Sequence, residues 1–258
     1  MKYVRFERPD GLVQTGVLET DDRIRAVEGD LFGTWTYLEE WFFREEVLLL
    51  SPLRPGKIVG VGANYRSFFR EKNRTAPAVP RIFLKPSTAV IGPGEPIRSP
   101  DPSHELRFEG ELGVVIGKQA RHVSEEDAEN VIFGYTCIND ITDWTMLEED
   151  GIWDRGKGSD TFAPIGPCIA DRREMEGQEV LLETRVNGIV RQHERTSDMY
   201  VPIRRLIAFI SSYMTLEPGD VIATGTPAGA GFLMPGDVVE VEIPPIGILV
   251  NQLRGISE

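Results

Sequence analysis

Cysteine is nearly absent. Cys137 and Cys168 are the only two in 258 residues, which excludes a disulfide framework and a four-cysteine zinc site. Positive charge is also short. Lys+Arg number 28 against 41 Asp+Glu, for a net charge of −13. A nucleic-acid binder needs basic groups to replace phosphate counterions, and an anionic membrane surface attracts the same groups, so neither partner is expected. No apolar run approaches the ~20 residues that span a bilayer. The opening stretch MKYVRFERPDG lacks the apolar segment of a signal peptide. Together these absences give a cytoplasmic location as the expectation. What is present is a globular composition, 41% hydrophobic and 27% charged. At this length a chain typically buries roughly three quarters of its unfolded surface. Lysine is rare among the basic residues, occurring only at positions 2, 57, 72, 85, 118 and 157, which draws interest to the places where it persists.

The pattern predicts a mostly β chain with short helices, an α+β class. Residues 1–33 read as a small β unit, with Asp10-Gly11 as a turn. Residues 34–50 read as one helix ending before Ser51-Pro52. Pro52, Pro55 and Gly56 mark a boundary, giving a small N-terminal β/α domain over 1–55 and a larger domain over 56–258. KIVGVGAN, RIFLKP, AVIGPGEPI and RFEGELGVVIG read as strands, and 64–73 as a short helix. Ser124 and Asp127 form a capping-box pattern that opens another short helix. Asn187-Gly188 turns a hairpin. Residues 201–213 form an amphipathic helix ended by Pro218-Gly219, and DVIATGTPAG and DVVEVEI are strands joined by a glycine-rich loop.

Glu109 and Glu111 stand two apart in a strand-like run, so both point to one face. Gly110 between them leaves the opposite face bare and open to close approach. Two neighbouring carboxylates repel unless a cation or proton lies between them. Asp140, in YTCINDITD, is a third acid after another apolar run. Three carboxylates with water in the open positions suit Mg²⁺, with Mn²⁺ as the near competitor. Alternate glutamates that merely mark a solvated strand face are the other reading, and spacing alone leaves both open.

VGANYR, FLKP, IGPGEPI, FEGELGVVIG, GYTCINDIT, RGKGSDTFAPIGP, TLEPGDVIATGTPAG and PGDVVEVEIPPIGILVN occur in this order. The ordered set resembles the fumarylacetoacetate hydrolase family, in particular its 2-hydroxyhepta-2,4-diene-1,7-dioate isomerase and 5-carboxymethyl-2-hydroxymuconate isomerase-like branch, from about Lys57 to Asn251. The resemblance implies a mixed β-sandwich roll preceded by a small N-terminal β domain, and pairing as a homodimer. It implies Glu109, Glu111 and Asp140 as ligands of Mg²⁺ or Mn²⁺. It also implies a small 2-oxo acid as substrate. Lys157, in RGKGSDTF, matches a lysine that faces the substrate and can stabilise enolate charge. Thr226, in ATGTPAG, matches a position that holds the substrate carboxylate, and Gln192 lies where the family places substrate contacts. Lys85, in FLKP, belongs to this substrate-binding set or else supports the ligand shell or closes a turn.

Three departures from the family pattern bear on the reaction. Members that hydrolyse or decarboxylate carry NYxDHxxE, whereas NYRSFFRE here keeps Glu71 and puts Phe68 at the His position. The usual NDVxARDxQ is NDITDWTML, with Trp144 at the Arg position and Leu147 at the Gln position. His104, His122 and His193 are the only histidines, and each reads as structural and solvent-exposed. Arg107 precedes Glu109 by two and, in a regular strand, shares its face, where it binds a substrate carboxylate or pairs with a nearby acid. Without the His, water activation loses its agent, while proton movement survives with Glu71 as relay. The expectation is a divalent-metal isomerase or tautomerase of small 2-oxo or 2-hydroxydienoate acids. A C–C bond hydrolase or oxaloacetate decarboxylase is the alternative, and a metal-binding relative with weak or no turnover is the reading from another class.

Overall fold

The computed structural model describes residues 1–175 and 179–255. Their strands form three sheets. The largest has twelve strands, and its main path runs Trp35–Phe43, Arg23–Gly29, Val13–Leu18, Lys2–Glu7, Ala163–Asp171, Ile132–Asn139, Gly110–Ile116, Val221–Ala223, Ile58–Gly62 and Arg81–Lys85. Neighbours along it are antiparallel except Val221–Ala223 with Ile58–Gly62. A five-stranded sheet runs Ile189–Arg195, Leu181–Val186, Val238–Ile243, Gly247–Arg254 and Ile97–Arg98. A small sheet joins Thr142–Asp143, Leu106–Phe108 and Gly231–Leu233. This is the mostly β architecture with short helices that the sequence pattern implies.

The Gly110–Ile116 strand is buried at every residue. A central strand covered on both faces needs apolar or small residues throughout, which is why GELGVVI lacks alternation after its glutamate. Leu112, Cys137 and Cys168 pack with Leu182, Val239, Val241 and Leu249 of the five-stranded sheet. Elsewhere Leu206, Ile207 and Ile210 of the Ile203–Tyr213 helix pack on Val59, Val61, Val114 and Ile222. That helix buries one stripe, as its amphipathic pattern requires. The first strand pairs directly with Ala163–Asp171, placing Lys2 opposite Ala170 and Tyr3 opposite Ile169, so the N-terminal strands continue the large sheet.

The expected helix over 34–50 is not formed. Trp35–Phe43 is a strand, Arg44–Glu46 a single 3-10 turn, and Leu48–Leu50 a strand paired with Lys2–Glu7. Trp35–Phe43 is the outer strand of its sheet and no residue in it is fully buried. Its register against Arg23–Gly29 also slips between Arg25 and Val27. An outer, bulged strand shows no clean two-residue alternation, and WTYLEEWFF then mimics helical spacing. The Ser124–Asp127 pattern caps a turn and only a 3-10 segment, Ala128–Val131.

Candidate metal centre

The run predicted as one strand breaks at Glu109, with Leu106–Phe108 in the small sheet and Gly110–Ile116 in the large one. Glu109 sits at the joint. Its backbone N–H donates to Asn139 Oδ1 at 3.0 Å, and its carbonyl accepts from the Asp140 N–H at 2.8 Å. Asp140 follows directly on the Ile132–Asn139 strand, which pairs Asn139 with Gly110. These ties bring one oxygen each of Glu109, Glu111 and Asp140 within 4.8 Å of one another. The three acids thus converge, inside the reach at which carboxylates share one ion.

Gly110 behaves as its place between two glutamates suggests. A Cβ there would meet Thr184 Oγ1 at 2.0 Å and Gln192 Oε1 at 3.0 Å. Gly110→Ala is therefore expected to lower stability by ~1–3 kcal/mol, the usual penalty of overpacking. Thermal melting checks it, and an unchanged Tm would mean that the neighbouring strand yields freely.

Two lysines meet the acids. Lys85, 0% exposed, donates to Asp140 Oδ1 and to the Ile141 carbonyl at 3.0 Å. Burial draws its ammonium down to about 8, with Lys157 adding to the effect and Asp140 opposing it. Of the roles open to Lys85, support of the acid cluster is the one this burial fits. Lys157, in the short Asp154–Gly158 helix, donates to Glu109 Oε2 at 2.9 Å and to Asp140 Oδ2. Burial works against its charge, but Asp140 and Glu109 outweigh burial and hold the ammonium above its ordinary value. Burial alone would raise Asp140, yet Lys157 and Lys85 hold it below the carboxylate range. Glu111 receives no lysine hydrogen bond among the described residues. Its Oε2 accepts from the Gly225 N–H at 2.7 Å, while burial and then Asp140 and Glu109 push its carboxyl well above the usual range. Three carboxylates against two ammoniums leave a buried negative balance. The donor set is all oxygen and hard, without Cys or His, and fits Mg²⁺ or Mn²⁺.

The remaining candidates lie around this cluster. Thr226 donates to the Gly110 carbonyl at 2.9 Å and accepts from Gln192 Nε2 at 2.7 Å, and Gln192 Oε1 accepts from the Gly110 N–H at 3.0 Å. Both side chains thus tie the glycine-rich loop to the strand that carries Glu111. Glu71 ends the Arg66–Glu71 helix at 36% side-chain exposure, accepting from the Gly229 N–H at 3.0 Å and pairing with Lys72 at 2.9 Å. Burial raises its carboxyl, but Lys72, Gly229 and Arg107 together lower it, so it stays ionised. Phe68, three residues before, packs against the main core. Trp144 opens the Trp144–Asp150 helix, and its indole donates to Glu148 at 2.8 Å. Arg107 stacks on that indole, with Cζ 4.5 Å from the ring centroid. His104 binds Asp143 at 2.7 Å and is half-buried, whereas His122 and His193 are exposed and His193 pairs with Glu183.

Two organising residues escape the sequence reading. Asn64, in VGANYR, donates to the Val201 and Thr224 carbonyls and accepts from the Val201 N–H. It thereby fixes the entry to the glycine-rich loop. Gly225 has φ +94°, and a Cβ there would lie 2.7 Å from that of Asn64. The loop's anion-binding capacity is spent in part on the protein's own Glu111. The only signal was the asparagine and the glycine themselves, each with several ordinary explanations.

Comparison with known proteins agrees with this geometry. A family model described as fumarylacetoacetate (FAA) hydrolase C-terminal matches residues 57–254, and one described as Rv2993c-like, N-terminal matches residues 1–52. The fold is similar to a 5-carboxymethyl-2-hydroxymuconate delta-isomerase from Mycobacterium smegmatis, with TM-score 0.91 and 39% identity, covering 99% of this chain and 100% of that one. It is also similar to a 2-hydroxyhepta-2,4-diene-1,7-dioate isomerase from Mycobacterium marinum, with TM-score 0.88 and 39% identity over 100% of both chains. A mitochondrial oxaloacetate tautomerase of Xenopus laevis is 39% identical over 219 residues, 81% of this chain and 69% of that protein. With three quarters of its length under the family model and the acid cluster on the matching motifs, the chain belongs to the fumarylacetoacetate hydrolase family.

Proposed function

We propose that the chain is a divalent-metal-dependent isomerase or tautomerase of small 2-oxo or 2-hydroxydienoate acids. The convergence of Glu109, Glu111 and Asp140 within 4.8 Å carries this reading. A hard cation held by these three residues supplies Lewis acidity toward the oxygens of a 2-oxo acid and favours its enol form. Lys157 presents an ammonium to the same cluster, where it stabilises negative charge developing on the enol oxygen. Glu71, held ionised by Lys72 and the Gly229 N–H, is the candidate to take up a carbon-bound proton and return it. Tautomerisation needs no more than that movement. Hydrolysis needs an activated water, and Phe68 stands where the family pattern has the activating His.

Relatives named as hydroxymuconate isomerase and oxaloacetate tautomerase support this choice over cleavage. The test is proton NMR of oxaloacetate in deuterated buffer with Mg²⁺ or Mn²⁺. Enzyme-dependent loss of the methylene signal without new cleavage products is expected. Metal-dependent cleavage at about 1–10³ s⁻¹, or no acceleration of exchange, would overturn the reading.

A further inference from the structure

Arg107 is a buried guanidinium without a carboxylate. It is 8% exposed, and among the described residues it makes no ion pair. Nη2 donates to the Ala230 carbonyl at 3.3 Å, while the buried Nε has no partner. Burial of an unpaired charge is expensive, so a guanidinium left in this state points to a ligand that completes it. Its Cζ lies 4.5 Å from the Trp144 ring centroid and 5.4 Å from that of Phe232. Stacking on rings restrains the plane of a guanidinium and leaves its edge for bidentate contact with an anion.

Its placement relates it to the acid cluster. Arg107 stands directly opposite Thr142 in the small antiparallel sheet, so the two side chains leave the same face. The Thr142 hydroxyl donates to Glu109 Oε1 at 3.3 Å. Arg107 is thus one cross-strand neighbour removed from the cluster. It also lies within electrostatic reach of Glu71. Trp144, at the position where the family pattern has arginine, is the ring that Arg107 stacks on. The positive charge missing from position 144 is restored from the adjoining strand.

We infer that Arg107 grips the distal carboxylate of the substrate, so that this chain selects 2-oxo diacids over 2-oxo monoacids. The inference rests on the metal-centre reading above. Calorimetric titration of the Mn²⁺-loaded protein with oxalate, 2-oxoglutarate and 2-oxopentanoate separates the two. The last pair share a chain length and differ only in a terminal carboxylate against a methyl group. Wild type is expected to bind 2-oxoglutarate about tenfold or more tighter than 2-oxopentanoate, the scale of one charge-assisted bidentate contact. Arg107→Gln is expected to bring the two within about twofold of each other while oxalate binding holds. Arg107→Gln with Trp144→Arg is expected to regain the preference. Equal binding of the pair by wild type overturns the inference without recourse to any variant, and so does a preference that survives Arg107→Gln. Failure of oxalate to bind in a Mn²⁺-dependent manner removes the metal-centre reading itself, and the inference with it.

Discussion

Glu111→Gln is expected to change metal affinity and apo-protein stability in opposite directions. Glutamine keeps an acceptor for the Gly225 N–H and removes the charge. Loss of a ligand exceeds the ~10–100-fold that loss of an outer partner typically costs in metal affinity, so Mn²⁺ binding falls by about a hundredfold or more. Apo stability moves the other way. The Glu111 carboxyl is raised well above its ordinary value of 4.5 by burial and by Asp140 and Glu109. A carboxyl raised on folding contributes stability that is fully present below its unfolded value and is lost as pH rises through the folded value. At neutral pH the apo wild type has therefore lost stability that the glutamine variant keeps. The variant is expected to melt about 2–4 °C higher without metal, equivalent to roughly 1 kcal/mol at this size, and the gap shrinks toward pH 4.5. Added Mn²⁺ raises the wild-type Tm by mass action and leaves the variant nearly unmoved. Melting curves at several pH values, with and without Mn²⁺, check each arm. A variant that melts lower than apo wild type at neutral pH, or that keeps the Mn²⁺ response, would contradict the cluster as a charge-frustrated cation site.

The three acids were legible because their spacing and motif positions are local properties of the chain. Their convergence depends on a feature that was not: the break at Glu109, where Asn139 rather than a strand neighbour holds the backbone. A regular strand would have placed Arg107 on the same face as Glu109. The break instead gives Arg107 to the small sheet and to the rings of Trp144 and Phe232. Lys85 shows a second limit. Nothing in FLKP tells a lysine at 0% exposure from one at the surface, because burial is set by the partners that Asp140 and Ile141 provide through tertiary structure. The strand at Trp35–Phe43 is the clearest failure. Trp, Thr, Tyr and Phe favour strands, but exposure of an outer strand erased the alternation that would have shown it. The Asn187-Gly188 hairpin and the Ile203–Tyr213 helix were readable for the converse reason, since a turn dipeptide and an amphipathic stripe carry their geometry within a few residues.

Lys157→Met is expected to separate turnover from metal binding. Lys157 touches two of the three acids, Glu109 and Asp140, and lies mostly buried beside them. Its removal takes away one positive charge next to a site that attracts a cation. Lys85 still holds Asp140, so the carboxylates keep their arrangement, and the more negative cluster attracts Mn²⁺ at least as strongly as before. Turnover has no such compensation. A fixed ammonium aimed at developing negative charge typically contributes ~10²–10³-fold, and the exchange rate is expected to fall by that factor. Apo stability falls too, because breaking a buried pair leaves charge uncompensated at a cost of up to about 3–5 kcal/mol, and Mn²⁺ restores much of it. Metal titration, exchange kinetics and melting on one variant thus give three signs: affinity unchanged or higher, rate lower, apo Tm lower and rescued by metal. A loss of affinity in step with the rate would make Lys157 a scaffold for the acids, and a retained rate would remove it from the chemistry.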